Sequence, residues 1–439
     1  MFSIKETNYV FKNWSESVRC EPEQYVEPNN LSELQAIVRQ AFVDRKTIRV
    51  VGAGHSFTPL VATSDIMVSL KHLAGIDHID RENNLVTVWG GSLLKDLGTQ
   101  LWEHGFAMEN LGDINKQSIA GAISTGTHGT GIQFGSISTQ AVGITLLLAS
   151  GELLEVDETN EAGVFQAAQV SLGMLGIIVK VTLKVLPAYQ LTGTSYKLSL
   201  DETFQQLDTL CEQHRNIEFY WFPYTDTVQV KTFDLAAPNK EKDQKQMKFK
   251  KVVVENGLFW LMSEVSRLVP QSAKSISTLS AIGVPVGTET NDSYEIYATP
   301  RLVKFQEMEY SVPKKYLPTI LRTIDEVVRE KKYAVHFPLE CRFVKADNIW
   351  LSPSYERESA YIAVHMYKGM EFSSYFQALG EIFQAYDGRP HWGKMHTMTK
   401  ADLQTAYPKM EDFISLRKRL DERGIFLNEY VCELFQLKN

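Results

Sequence analysis

Two glycine-rich segments, each carrying a histidine, are the parts of this 439-residue chain best placed to do chemistry. The first is VGAGHSF, Val51 to Phe57, and the second is SIAGAISTGTHGTG, residues 118–131. Glycine lets the backbone approach a ligand closely and adopt φ > 0. Such turns therefore present bare N–H groups to phosphate oxygens. Ser56, Ser124, Thr125, Thr127 and Thr130 add hydroxyl donors to them. Neither segment is a P-loop, because no Gly-Lys-Ser/Thr follows. Gly52 and Gly54 begin a G-x-G, but Phe57 stands where a dinucleotide fingerprint needs its last glycine. Each segment alone could be a tight turn between strands. Two in one domain, both with a histidine, favour a bound phosphate group.

A second constellation lies near the C-terminus. HFPLECRFV, residues 336–344, alternates as a strand should. Phe337, Leu339, Cys341 and Phe343 fall on one face, with His336, Glu340 and Arg342 on the other. The apolar face must seek a core, so the charged face looks either to solvent or into a site. HWGKMH, residues 391–396, offers Lys394 as a cation, with His391 and His396 expected to be structural. With no cysteine beside those histidines, no metal site is expected there. His365, in the YIAVHMY run with Tyr361 and Tyr367, could reach the same place.

These groups need elements to hold them. Leu31, Leu34, Ile37, Val38 and Phe42 recur at helical spacing, and TIRVV then reads as a strand entering the first glycine turn. Short β runs flank an Arg-Glu-Asn-Asn turn at 81–84, and an amphipathic helix is expected over 93–105. Residues 162–187 read as helix, glycine-punctuated loop and long strand. Beyond residue 285, SYEIYATP, YAVHFPLECRFV, NIWLSPSY and AYIAVHMY all read as strands. The pattern is α+β. A chain of this length exceeds one core, so two domains are expected.

VGAGHSF, GTHGTG, SLGMLGIIVKVTL and RPHWGKMH, in that order, resemble the vanillyl-alcohol-oxidase superfamily of flavoenzymes. The likeness is to its aldonolactone oxidase branch, which includes L-gulono-1,4-lactone, D-arabinono-1,4-lactone and alditol oxidases. WFPYTD at 221–226 and LNEY at 427–430 extend it over nearly the whole chain. The resemblance implies a two-subdomain FAD-binding domain of the PCMH type over residues 1–187. A cap or substrate domain on a large antiparallel sheet would follow over 188–390, and a segment over 391–439 would return to the flavin. It implies FAD held covalently through His55. Val51, Gly52, Ala53, Gly54, Ser56, Ser118, Gly121, Ser124, Thr125, Thr127, His128, Gly131, Ile178 and Lys394 would contact that cofactor. Glu340, Arg342 and Lys394 would be catalytic. The implied reaction is oxidation of a lactone carbinol to the 2-keto lactone, with hydride passing to flavin N5 and electrons then to dioxygen or another acceptor. Alternatives are an alditol (xylitol or sorbitol) oxidase and a non-covalent flavoprotein alcohol dehydrogenase. The chain departs from animal gulonolactone oxidases in having Gly393 where they have alanine, and in lacking their long hydrophobic stretch in the cap.

A formal charge of −8 gives no reason to expect nucleic acid as a partner. Four scattered cysteines and an N-terminus without an apolar run point to a reduced, cytoplasmic protein. No apolar stretch is long enough to span a membrane. Residues 240–251 carry six lysines against two acids, with VVVEN and then GLFWLMSEVSRLV following. They are read as a solvated cap loop, with peripheral contact to an anionic membrane as the competing possibility.

Overall fold

The structure, a computed structural model, describes residues 4–5, 9–237, 245–298 and 302–437. Its first half is built on two small sheets. β1 (Gln24–Val26) leads into α1 (Leu31–Asp44), whose N-cap Asn30 accepts from the Glu33 N–H. Leu34, Val38 and Ala41 face inward from α1, and Arg45 ends it in the left-handed conformation. β2 (Ile48–Val51) and β3 (Ile66–Ser69) complete the parallel core of the first sheet, ordered β1-β3-β2 with Ile4–Lys5 at its outer edge. β4 (Ile76–Asp80) and β5 (Leu85–Trp89) form a hairpin around residues 81–84. Next come the short α2 (Ile119–Ser124), β6 (Ala141–Leu147), β7 (Leu153–Asp157) and β8 (Ile177–Lys184). The second sheet is antiparallel, ordered β7-β6-β8-β5-β4.

Leu186–Pro187 pairs with Phe106–Ala107, and the chain then enters a different layer. β9 (Gln190–Ser199), β10 (Asn216–Trp221) and β11 (Thr227–Leu235) precede two helices, α3 (Lys245–Leu268) and α4 (Ala273–Gly283). β12 (Gly287–Asp292), β13 (Phe305–Pro313), β14 (Leu339–Val344), β15 (Ser359–Tyr367) and β16 (Arg389–Pro390) finish an eight-stranded antiparallel sheet. Its order is β12-β9-β11-β10-β14-β15-β13-β16. The α+β expectation and the large antiparallel sheet are met.

Four local expectations are not. SYEIYATP opens as a helical turn over Ser293–Ile296, which directs Tyr294 onto Trp102. NIWLSPSY is a turn, because the Asp347 carboxylate accepts from the Ile349 N–H and the Ser352 hydroxyl. His336 precedes β14 and points away from the charged face, its Nε2 2.9 Å from Ser263 Oγ. Residues 245–251 are helical and not a loop. Residues 240–244 lie outside the described residues, as do the side chains through 256.

The C-terminal segment returns to the first half. The Ile48 N–H donates to Ile425 O, and Asn428 donates to the carbonyls of Pro59 and Ala62. Arg49 knots this junction from the middle of β2. It is 3% exposed and donates to the carbonyls of Leu60, Leu172, Gly173 and Phe426. Burial without a carboxylate partner draws its pKa down to about 10. Arg49→Met keeps much of the volume and strands several buried carbonyls. Each unsatisfied group costs about 1–3 kcal/mol, so urea unfolding should show a loss of roughly 3 kcal/mol or more. Unchanged stability would mean that the knot contributes nothing.

Candidate active site

Two cavities meet at His55. The larger, about 320 Å³, lies between the two glycine-rich segments. Val51, Gly52, Ala53, Gly54, Ser56, Ser118, Gly121, Ser124, Thr125 and Ile178, all among the residues the resemblance singled out, line it. A Cβ at Gly52 would stand 2.4 Å from Ser118 Oγ, so a side chain there would push that hydroxyl off its cap on the Gly121 N–H. Gly54 adopts φ +67, the left-handed region. No Asp or Glu lines this cavity, whereas Arg49 and Lys71 do. That donor set fits a dinucleotide with an anionic pyrophosphate.

The smaller cavity, about 60 Å³, continues from His55, Ser56, Gln117 and Thr125 toward the large sheet. Thr127 and His128 line this end. Gly131 lines neither cavity. Its N–H donates to Phe343 O at 2.8 Å, which ties the loop to β14.

The walls of the smaller cavity come from the sheet face that carries Glu340 and Arg342. Pairing sets Glu340 beside Tyr220 and Ala363, Arg342 beside Glu218 and Tyr361, and Glu307 beside His365. Side chains two apart on a strand share a face, so these residues all line one surface. Arg342 ion-pairs with Glu340, Nε donates to Glu218 at 3.1 Å, and Asp113 lies 3.4 Å from Nη2. Burial opposes the Arg342 charge, but Glu340, Asp113 and Glu218 outweigh it and hold its pKa well above the usual range. The Tyr220 hydroxyl stands 3.1 Å from Glu340 and 3.0 Å from Glu218.

Opposite this cluster, residues 391–395 run along the edge of β13. The His391 N–H donates to Glu309 O, and the Met395 N–H to Glu307 O. This pairing lays Lys394 onto the Glu307 carboxylate, with which it ion-pairs. Burial disfavours the ammonium, yet Glu307 and Glu309 raise its pKa. Burial likewise opposes the Glu307 charge, but Lys394 and His365 bring that carboxyl down to about 2. Gly393 tightens the same segment: its carbonyl accepts from the Phe57 N–H at 2.7 Å, and a Cβ there would meet His391 at 3.2 Å and Ser56 at 3.4 Å.

His55 is held neutral. Burial is the main cause, with Lys394 and Lys116 adding to it, and its pKa falls to about 4. A neutral imidazole keeps a free lone pair, which a covalent bond to carbon requires. His128 Nε2 lies 3.2 Å from Glu309, while its Nδ1, 2.8 Å from Gly129 O, must donate to that carbonyl. Ligand atoms of His128, Glu309 and His391 gather within 4.8 Å of one another. The His391 Nδ1 accepts the Gly393 N–H at 3.0 Å. His396 lines neither cavity.

The sequence analysis singled out Glu340, Arg342, Lys394, His365 and His55, and the structure brings them together. It missed Glu307 and Glu309 on β13, Glu218 and Tyr220 on β10, and Asp113. The available signal was charge or hydroxyl at alternate positions in QEMEYS and IEFYW, strands otherwise rich in apolar residues.

Comparison with known proteins agrees with this geometry. Residues 22–157 match the family described as FAD binding domain, and residues 181–434 match D-arabinono-1,4-lactone oxidase. The chain is 37% identical over 421 residues to an L-gulono-1,4-lactone dehydrogenase of Mycobacterium tuberculosis, covering 96% of this chain and 98% of that protein. It is 33% identical over 434 residues to the L-gulonolactone oxidase of Mus musculus, covering 97% and 98%. A cholesterol oxidase from Brevibacterium sterolicum shares the fold, with TM-score 0.82 at 15% identity over 99% of this chain and 98% of that one.

A stability prediction follows from the histidines. Burial lowers the pKa of His336, His391 and His396 to about 4, from an ordinary value near 6.5. The unfolded chain therefore binds more protons between those limits, and stability present above about pH 6.5 is lost as pH falls toward about 4. Each histidine contributes a slope of up to roughly 1.4 kcal/mol per pH unit. Urea midpoints measured across that window should fall steeply. A flat profile would show that these rings are not held neutral.

Proposed function

The chain belongs to the D-arabinono-1,4-lactone oxidase family of FAD-dependent oxidoreductases, and from that premise we propose that it oxidises a carbinol of a sugar 1,4-lactone to the 2-keto lactone, which enolises to an ascorbate-type enediol. Residues 1–187 hold the cofactor in this proposal, 188–390 form the cap, and 391–439 close the site from behind. The observation that carries it is the meeting of a carboxylate-free, glycine-lined cavity with a polar one at His55. Bound FAD would supply the hydride acceptor, with dioxygen or another acceptor as the final oxidant.

The remaining work falls to side chains. The two glycine turns would hold the pyrophosphate through backbone N–H groups, and a ring nitrogen of His55 would hold the flavin. Arg342, fixed by three carboxylates, and Lys394, fixed by Glu307, face a carbinol oxygen and stabilise negative charge as its proton departs. Glu340 accepts that proton. The Tyr220 hydroxyl, within reach of Glu340, keeps its orientation. Preorganised charges of this kind need no rearrangement when the carbon–hydrogen bond breaks.

L-gulono-, L-galactono- or D-arabinono-1,4-lactone should bleach the flavin anaerobically without a nicotinamide cofactor. Arg342→Ala and Lys394→Ala should slow that reduction by about 10²–10³ while retaining flavin. Bleaching by xylitol or sorbitol but by no lactone would transfer the chain to polyol oxidation. The attachment is tested separately: wild-type protein precipitated with acid should keep its yellow colour, and His55→Ala should lose it. Full release of flavin from the wild type would refute the covalent link.

A further inference from the structure

A small hairpin stands apart from both halves' main sheets and lies at the seam between them. Phe11–Lys12 pairs with Arg19–Cys20, and the turn 13–18 between them is tied from within. Asn13 Oδ1 accepts from the Val18 N–H at 3.0 Å, and the Glu16 N–H donates to Asn13 O at 3.0 Å. The turn is also fastened to VGAGHSF. The Asn13 side-chain amide donates to Ser56 O at 3.0 Å, and the Trp14 N–H donates to Gly54 O at 2.8 Å. A hairpin of two residue pairs does not stand alone, so what it bridges must hold it in place.

Trp14 is the piece it inserts at the seam. The indole lies 6.1 Å from the His55 ring, inclined to it by 27°. It meets Phe57 edge-on at 6.2 Å and Phe305 edge-on at 5.1 Å. Phe57 closes the histidine turn and Phe305 opens β13, and those two rings stack at 5.9 Å. Phe305 lines the smaller cavity, where its ring also meets His365 edge-on at 4.9 Å. Trp14 lines neither cavity. It acts on them from behind, through His55 and Phe305, and aromatic contacts of this kind set both distance and tilt.

The tip of the turn is latched to the cap. Glu16 ion-pairs with Lys304 at 2.5 Å and also with Lys368. Lys304 immediately precedes β13 and Lys368 immediately follows β15, and the Lys368 N–H donates to Lys304 O at 3.1 Å. Glu16 sits at φ +62, in the left-handed region that side chains seldom occupy. Such strain persists where the surroundings enforce it, and here it falls on the residue whose carboxylate meets both lysines. One exposed ion pair is weak, but a carboxylate shared by two lysines ties the turn to two neighbouring strands at once. We propose that Trp14 is a positioning residue for substrate binding, seated by the Glu16 latch, and that it holds Phe305 against the smaller cavity. This rests on the reading of that cavity as the lactone site. The lactone is neutral and is not steered by charge, so a salt dependence of its binding reports the latch.

The test is anaerobic reduction of the flavin-loaded protein over a range of lactone concentrations, which separates half-saturation from the limiting rate. Trp14→Ala should raise the half-saturating concentration about tenfold. Its limiting rate should stay within about threefold of wild type, because Arg342, Lys394 and Glu340 are untouched. Trp14→Phe should recover most of the loss, since a ring still backs Phe305. Glu16→Gln should raise half-saturation about two- to fivefold at low salt, and the wild type should drift to the same value as salt rises. A second readout needs no substrate: acrylamide quenching of the flavin fluorescence should increase in Trp14→Ala, which uncovers His55, and not in Trp14→Phe. Unchanged half-saturation in Trp14→Ala, or a loss confined to the limiting rate, would overturn the proposal. Glu16→Gln alters only an exposed side chain, so it is informative even where Trp14→Ala does not fold. A half-saturation indifferent to both that variant and salt would overturn the latch. If no lactone bleaches the wild type, the proposed reaction fails, and the quenching comparison alone then decides the role of Trp14.

Discussion

The face of the large sheet that bears Glu218, Glu307, Glu309 and Glu340 cannot be left bare inside a protein. Each carboxylate there is less than a tenth exposed and must find a cation or a donor. Arg342 answers on the sheet itself, Lys394 arrives with the returning C-terminal segment, and His128 comes from the second glycine-rich loop. The three basic groups lie on three separated stretches of chain, so satisfying the acids fixes how the halves meet. Such buried pairs are seldom a net source of stability, because desolvation cancels much of the attraction. The cohesion comes from the apolar face of the same strands, where Phe219, Leu339, Cys341, Phe343, Ile362 and Val364 join one core that spans both halves. Packing holds the sheet, and the ionic layer decides what it is for.

That layer also divides the site by charge. The cavity between the glycine turns has no carboxylate in its lining, and the cavity beyond His55 has four: Asp113, Glu307, Glu309 and Glu340. Against them stand Arg342 and Lys394. One end therefore suits pyrophosphate, and the other suits a neutral molecule rich in hydroxyls. An anionic substrate would meet a surplus of negative charge at low dielectric.

Much of this was legible in the chain because it is local. VGAGHSF and GTHGTG announce themselves through glycine; alternation put Glu340 and Arg342 on one strand face, and only the family resemblance favoured a site over solvent. Lys394 was found because it lies in a dense cluster of functional groups. Glu307, Glu309 and Glu218 escaped notice because their importance lies in pairings across strands distant in sequence, where register decides which side chains face one another. Gly131 sits in the same motif, and its backbone N–H is engaged with β14. The lysine-rich stretch read as a loop because its polarity obscured a helix.

The division of charge is tested most directly by anaerobic titration of the flavin absorbance with a 1,4-lactone and, separately, with the aldonate obtained by hydrolysing it. The two differ chiefly in a carboxylate. The lactone should bind and bleach the flavin, while the aldonate should neither bleach it nor compete with the lactone at equal concentration. An aldonate that binds as tightly as the lactone would contradict the account, because the four carboxylates would then not govern what enters.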